Sequence, residues 1–123
     1  MFNKAFHDLV TKSRAWYKTI KKVYCPCLGA DVIFNAKGFY HLLYDGTGTA
    51  RSLNERLRRL KLLPHVIIVI RDAKRIYAHQ AQSSGDYWLL KETIIMEEAT
   101  LNIIVVLRKT AGGNFFYYSV RDE

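Results

Sequence analysis

The chain has 123 residues, half of them hydrophobic, and a formal net charge of +8 at pH 7. This length predicts a single domain over residues 1–123, with enough apolar residues for one hydrophobic core. No apolar stretch reaches the roughly 18 residues of a membrane span, and the lysine-rich N-terminus lacks the continuous apolar segment of a secretory signal. We therefore expect a cytoplasmic protein with no membrane partner.

The positive charge is concentrated in the first part of the chain. Residues 1–75 contain fifteen Lys or Arg against five Asp or Glu, whereas residues 76–123 contain four against six. This imbalance favours one surface that attracts polyanions such as nucleic acid. An ordinary solvated basic surface is the alternative.

The N-terminal segment has the pattern of an amphipathic helix. Between Asn3 and Lys22, apolar residues recur at spacings of three and four, which predicts a helix within residues 1–24. Cys25 and Cys27, on either side of Pro26, then end it. A disulfide between positions i and i+2 is strained, a zinc site needs four ligands, and the four histidines are scattered. We interpret the cysteines as structural thiols and expect no metal and no cofactor.

Two more helices are predicted before residue 64. After the short extended segment 32–34, Asn35 is a suitable N-cap for a helix that carries His41. Ser52, with Glu55 three residues later, forms a capping-box pair at the start of an arginine-rich helix that Pro64 ends.

After Pro64 the pattern changes to runs rich in β-branched and aromatic residues. These runs predict five strands: His65–Arg71, Arg75–Gln80, Tyr87–Met96, Leu101–Lys109 and Phe115–Arg121. The connections are too short for a crossover helix, so neighbouring strands should be antiparallel. The run Ile103–Leu107 is apolar on both faces and is expected in a central strand. The predicted fold is α+β, with N-terminal helices packed on a four- to five-stranded antiparallel meander sheet.

Polar residues at alternate strand positions suit phosphate chemistry. Cleavage of RNA without a metal needs a base, an acid and cationic donors around the phosphate. If the last three strands turn the same way, one wet face gathers Lys91, Thr93, Arg108, Ser119 and Arg121, with Tyr117 beside them. The alternative is that these are ordinary solvent-facing residues of a half-exposed sheet.

The run from Val32 to Leu42, Val-Ile-Phe-Asn-Ala-Lys-Gly-Phe-Tyr-His-Leu, resembles the entry motif of the phage-type nucleases of the barnase–EndoU–colicin–RelE (BECR) group. In that motif an extended segment leads through a glycine into a short helix that bears a histidine. The later order of helix, proline and meander is similar too, as is the ending Tyr117-Tyr118-Ser119. The resemblance covers residues 30–121 and leaves the first helix as an addition.

The resemblance implies a metal-independent endoribonuclease of RelE or barnase type, a toxin or phage-derived effector that cleaves mRNA or tRNA. His41 matches the helix histidine that acts as general base or acid, and Ser119 matches the hydroxyl residue that contacts the scissile phosphate. Arg51 and Lys91 match basic positions that hold or stabilise the phosphate. The candidates for a catalytic glutamate are Glu55 and Glu92. Without the resemblance, a core position for His41 is the alternative.

The predicted RNA contacts outside this catalytic set are Arg56, Arg58, Arg59, Arg108, Tyr117 and Arg121. If the protein is a toxin, an acidic antitoxin or immunity protein is a natural partner for the basic face. Two other functions stay open. One is a non-catalytic RNA- or DNA-binding module on the same sheet, and the other is a structural domain, for instance a phage particle component, whose charge serves only solvation.

Overall fold

The computed structural model describes residues 4–83 and 85–123. In these ranges the elements follow in the order α1 (Lys4–Thr19), β1 (Lys22–Cys25), β2 (Ala30–Ile33), α2 (Ala36–Leu43), α3 (Leu53–Leu62), a 3-10 helix (Leu63–His65), α4 (Val66–Asp72), β3 (Ala78–Gln82), β4 (Gly85–Met96), β5 (Ala99–Lys109) and β6 (Phe115–Asp122). The predicted α+β class is confirmed. None of the described helices is long and apolar enough to cross a membrane.

The strands form one six-stranded sheet in the order β1-β2-β6-β5-β4-β3. Strands β3 to β6 are the predicted antiparallel meander, but β2 pairs with β6 in parallel. The sheet is therefore mixed, which corrects the prediction of four to five antiparallel strands. The two additional strands come from the segment before α2, where only a short extended entry was predicted.

Strand β1 replaces the end of the predicted N-terminal helix. Helix α1 ends at Thr19, and Lys22–Cys25 pairs with β2 through a tight turn that closes at Gly29, whose φ is +64°. The predicted start at Asn3 lies outside the described residues. Cys25 is fully buried in this hairpin, and both cysteines are free thiols.

The first predicted strand, His65–Arg71, is wrong: residues Val66–Asp72 form α4. A short run of β-branched residues cannot be assigned by periodicity when it is apolar on every side. Pro64 does not end the helical region either, because it lies in a 3-10 turn that joins α3 to α4. Val66, Val69 and Ile70 of α4 are buried in the main core.

The main hydrophobic core lies between the helices and one face of the sheet. Ile103, Val105 and Leu107 point into it from β5, the strand that was predicted to be central. The opposite face of the sheet, here called the open face, has a small cluster of its own, formed by Leu89, Ile104 and Val106. Side chains that alternate with the core positions along a regular strand therefore project to the open face.

The N-caps of α2 and α3 are as predicted. Asn35 Oδ1 accepts a hydrogen bond from the Gly38 backbone N–H at 3.4 Å, and Ser52 Oγ accepts one from the Glu55 N–H at 3.2 Å. Gly38 also lets α2 approach β6 closely, since a Cβ at this position would lie 2.9 Å from the carbonyl oxygen of Tyr117. This close packing fixes where α2 holds His41.

Candidate active site

A β-bulge in β6 determines which residues reach the open face. Val106 of β5 pairs with Ser119, but the next residue, Leu107, pairs with Tyr117, so Tyr118 is the extra residue. Tyr118 and Ser119 consequently both lie on the open face, where Tyr118 packs against the open-face cluster. The prediction that Tyr117 shares this face is wrong: its side chain is 1% exposed and points into the main core. The extra residue of the bulge shifts by one position the alternation of side chains between the two faces of the sheet.

Helix α2 brings the half-buried side chain of His41 against Tyr118. The ring centroids of these residues are 4.2 Å apart, with an angle of 37° between the planes. The ring of Tyr87 also contacts Tyr118, edge-on and with the ring centroids 5.1 Å apart. We call these three rings, His41, Tyr118 and Tyr87, the ring cluster. It joins a helix residue to two strands of the open face.

Arginines surround the ring cluster. Arg51 lies just before α3, and its Nε donates a hydrogen bond to the carbonyl oxygen of His41 at 2.9 Å. The positive charges of Arg51 and Arg108 favour the deprotonated form of the Tyr118 phenol. Those of Arg51 and Arg59 favour the neutral form of the His41 imidazole. Predicted residues His41, Arg51 and Arg108 are thus brought together by the fold.

The two central groups of the ring cluster have pKa values displaced in opposite directions. Burial lowers the pKa of His41 below its ordinary 6.5, and the charges of Arg51, Lys37 and Arg59 lower it further. Burial raises the pKa of Tyr118 above its ordinary 10.0, and the neighbouring Tyr87 adds to the rise. At neutral pH an imidazole that can accept a proton therefore lies against a phenol that still carries one.

A cleft of about 250 Å³ opens beside Tyr118 on the open face. Ser119 and Arg121, both predicted site residues, line it. The other lining residues are Gln80, Gln82, Tyr87, Leu89, Val106 and Tyr118. The described lining contains a guanidinium, two amides and several hydroxyls and no carboxylate, which suits an anionic ligand.

Lys91 lies apart from His41. It faces the open side, but Leu89 separates it from Tyr87 along β4. Its Nζ contacts Glu123 Oε1 at 2.7 Å and lies 4.7 Å from the ring centroid of Tyr77. The hydrogen bond to Glu123 raises the pKa of Lys91. The structure does not bring this predicted catalytic residue into the ring cluster.

The arginines of α3 are held in contacts within the protein. Arg58 forms an ion pair with Asp122, and the guanidinium of Arg56 lies 4.8 Å from the ring centroid of Phe6. Arg59 donates from Nε to Glu55 at 2.7 Å and from a terminal nitrogen to the carbonyl oxygen of Val120 at 2.9 Å. These contacts stabilise the packing of α3 against α1 and β6.

Neither candidate glutamate belongs to the ring cluster. Glu55 is paired with Arg59, and Glu92 is opposite Ile103, on the side of the sheet that faces the helices. His79 also lies on that side, where it stacks on Trp88 with ring centroids 4.0 Å apart. Within residues 4–83 and 85–123, no group of three or more His, Cys, Asp or Glu side chains is placed to hold a metal ion.

Tyr118 and Tyr87 were not among the predicted site residues. Tyr87 carries no motif, and strict alternation with Ser119 and Arg121 would put Tyr118 on the opposite face, because nothing in the sequence of β5 or β6 marks the bulge. Comparisons of this chain with protein-family models, with curated proteins and with solved structures give no match.

Proposed function

We propose that this protein is an endoribonuclease that needs no metal, with His41 as general base and Tyr118 as general acid. The observation that carries the proposal is the contact of these two rings at 4.2 Å beside two arginines on an otherwise open sheet face. Pairs of groups whose surroundings move their pKa values apart are typical of acid–base catalysis.

The proposed reaction is an attack of a ribose 2′-hydroxyl on the adjacent phosphate. The neutral imidazole of His41 takes the hydroxyl proton as the O2′–P bond forms. The phenol of Tyr118 gives its proton to the 5′-oxygen as the P–O5′ bond breaks, and the products are a 2′,3′-cyclic phosphate and a 5′-hydroxyl. Proton transfer between the two groups through solvent restores the starting state.

Cationic groups would stabilise the charge that builds up on the phosphorane. Arg51 is held against α2 by its bond to the His41 carbonyl, and Arg108 reaches the same region from β5. Preorganised donors of this kind contribute about 10²–10³-fold each. Ser119 and Arg121, in the adjoining cleft, would hold a neighbouring nucleotide.

The resemblance to BECR nucleases supports the same proposal from the sequence. The helix histidine contacts Tyr118, and the hydroxyl residue of the last strand, Ser119, lines the same cleft as Tyr118. The proposal gives no catalytic role to Lys91, Glu55 or Glu92, since none of them belongs to the ring cluster.

The proposal is tested by RNA cleavage on two substrates, which are naked total RNA in excess EDTA and mRNA on translating ribosomes in a buffer with the Mg²⁺ that ribosomes require. We expect wild-type protein to produce fragments ending in a cyclic phosphate in at least one of them. His41→Ala and Tyr118→Phe should each slow cleavage by about 10²–10⁴-fold. Lys91→Ala is the matched control and should cleave at nearly the wild-type rate.

A non-catalytic RNA-binding module is the second candidate, because the same cations and exposed rings would also hold RNA. It predicts binding that weakens steeply with salt while the RNA stays intact in both assays. That outcome would reject the nuclease proposal.

A further inference from the structure

A groove between α1 and α2 lies next to the ring cluster and has no part in the proposed chemistry. Its volume is about 310 Å³, within the range of roughly 300–1,000 Å³ typical of small-molecule sites. Its floor is largely aromatic, from Tyr17, Phe34 and Phe39. Apolar floors of this kind accept flat rings.

The rim of the groove is cationic. Arg14, Lys18 and Lys21 border it from α1 and the residues after it, and no Asp or Glu is among its described lining residues. An apolar side chain from another protein would not require this rim, whereas the backbone of a nucleic acid would be attracted to it. The charge therefore favours a polyanion that carries apolar rings.

Tyr40 connects the groove to the ring cluster. It lines the groove, it is 44% exposed, and it precedes His41, whose ring it contacts edge-on at a centroid distance of 6.0 Å. One face of Tyr40 is stacked on Tyr44 at 4.5 Å. Stacked, exposed tyrosines are suited to a base that has been freed from a duplex.

We infer that this groove is a nucleobase subsite, which receives a base next to the scissile phosphate while its backbone crosses the cationic rim. The inference rests on the proposed function and names its substrate class: single-stranded RNA with an unstacked base at this position. It also gives α1, which is additional to the nuclease-like segment, a role in binding RNA.

The test measures binding by fluorescence anisotropy, so that it does not depend on cleavage. The probe is a labelled 2′-O-methyl oligonucleotide of about twelve residues, and the protein carries His41→Ala. We expect Tyr40→Ala to weaken binding about tenfold, and a fully paired duplex of the same sequence to bind at least tenfold more weakly. Tyr24→Ala, at a tyrosine that is 56% exposed on β1, is the matched control and should change nothing.

The rim is tested by the salt dependence of binding. The slope of log affinity against log salt is negative, and Lys18→Gln with Lys21→Gln should make it less steep by about 0.7 for each phosphate contact that is lost. Lys12→Gln, at an α1 lysine outside the groove, should leave the slope as it is. Wild-type affinity in both the Tyr40 and the rim variants would overturn the inference.

The two proposals can fail separately. If Tyr40→Ala and the rim variants weaken binding but protein with His41 intact does not cleave RNA, the nuclease proposal is rejected and the subsite is kept. Cleavage that depends on His41 but not on Tyr40 or the rim would keep the nuclease and reject the subsite.

Discussion

At the scale of single residues, the surroundings of His41 and Tyr118 keep both side chains uncharged. Burial acts on both groups but in opposite directions, because it disfavours the charged form, which is the acid form of histidine and the base form of tyrosine. At His41 the positive charge of Arg51 lowers the pKa in the same direction as burial does. At Tyr118 the same charge partly opposes the larger rise in pKa that burial causes.

These shifts predict the pH dependence of cleavage. A base is active only when it is unprotonated, so a His41 pKa below 6.5 should put the acidic decline of kcat/KM below pH 6.5. Tyr118 should cause no decline up to pH 9, since its pKa is raised above 10.0. Initial rates between pH 5 and 9 check both limits. An acidic decline centred above pH 7 would contradict the assignment of His41 as base.

Tyr117 supplies a prediction about stability. Its hydroxyl is buried and has no hydrogen-bond partner among the described residues, and burial raises its pKa well above 10.0. Tyr117→Phe should therefore keep the free energy of unfolding or raise it by about 1 kcal/mol, because the cost of burying an unpaired hydroxyl disappears. Urea unfolding measures this, and Tyr117→Ala, which should lose about 3–5 kcal/mol, shows that the ring itself matters. A loss above 1 kcal/mol in the Phe variant would indicate a bonded hydroxyl.

At the scale of elements, features that depend on neighbouring residues in the sequence were predicted, and features that depend on tertiary packing were not. The caps Asn35 and Ser52 follow from nearest-neighbour chemistry, and the long strands β4 and β5 follow from their β-branched and aromatic residues. They were predicted close to their observed bounds. Strand β1 and helix α4 were missed because their short segments obtain their form from the surfaces that bury them.

The same reasoning explains which parts of the site were predicted. His41 and Arg51 were predicted as site residues from the resemblance to BECR nucleases, and Arg108 from the alternation along an intact strand. Tyr118 was missed because one bulge reverses the alternation along β6, and its position depends on pairing with β5 rather than on its own neighbours.

The turn between β4 and β5 gives a prediction for an element. Glu97 and Glu98 have φ values of 52° and 64° in a two-residue connection, a conformation that favours Asn-Gly. Glu97→Asn with Glu98→Gly should raise the free energy of unfolding by about 1 kcal/mol in urea titrations. Alanine at both positions removes the charges but keeps the strain, and an equal gain in that variant would contradict the backbone explanation.

The packing of α2 on β6 gives another prediction about the stability of the fold. Gly38→Ala should cost about 1–3 kcal/mol, since its methyl group would press on Tyr17 and on the backbone of Tyr117. Gly46→Ala is the control, because apart from its chain neighbours no described residue comes within 4 Å of a Cβ there, and the free energy of unfolding of this variant should be unchanged. Equal values for the two variants would show that α2 is not fixed by this contact.

At the scale of the whole molecule, the cations divide into two groups. Arg58, Arg59 and Lys91 are engaged by acidic side chains and stabilise the ends of α3 and the sheet. Arg51 is bonded to the His41 carbonyl oxygen on α2, and the rim belongs to a groove that α2 also lines, so both lie near the rings that would contact RNA. The positive charge of the sequence therefore has a structural part and a part available to a polyanion.

The most direct test of the central claim compares two oligonucleotides in excess EDTA. One is an RNA strand that the protein cleaves, and the other differs from it only by a 2′-deoxy sugar at the scissile position. We expect wild-type protein to cut the first to a 2′,3′-cyclic phosphate and to leave the second intact at that position, because the attacking hydroxyl is missing. Cleavage of the deoxy strand at the same bond, or cleavage of RNA that persists in His41→Ala and Tyr118→Phe, would contradict the account.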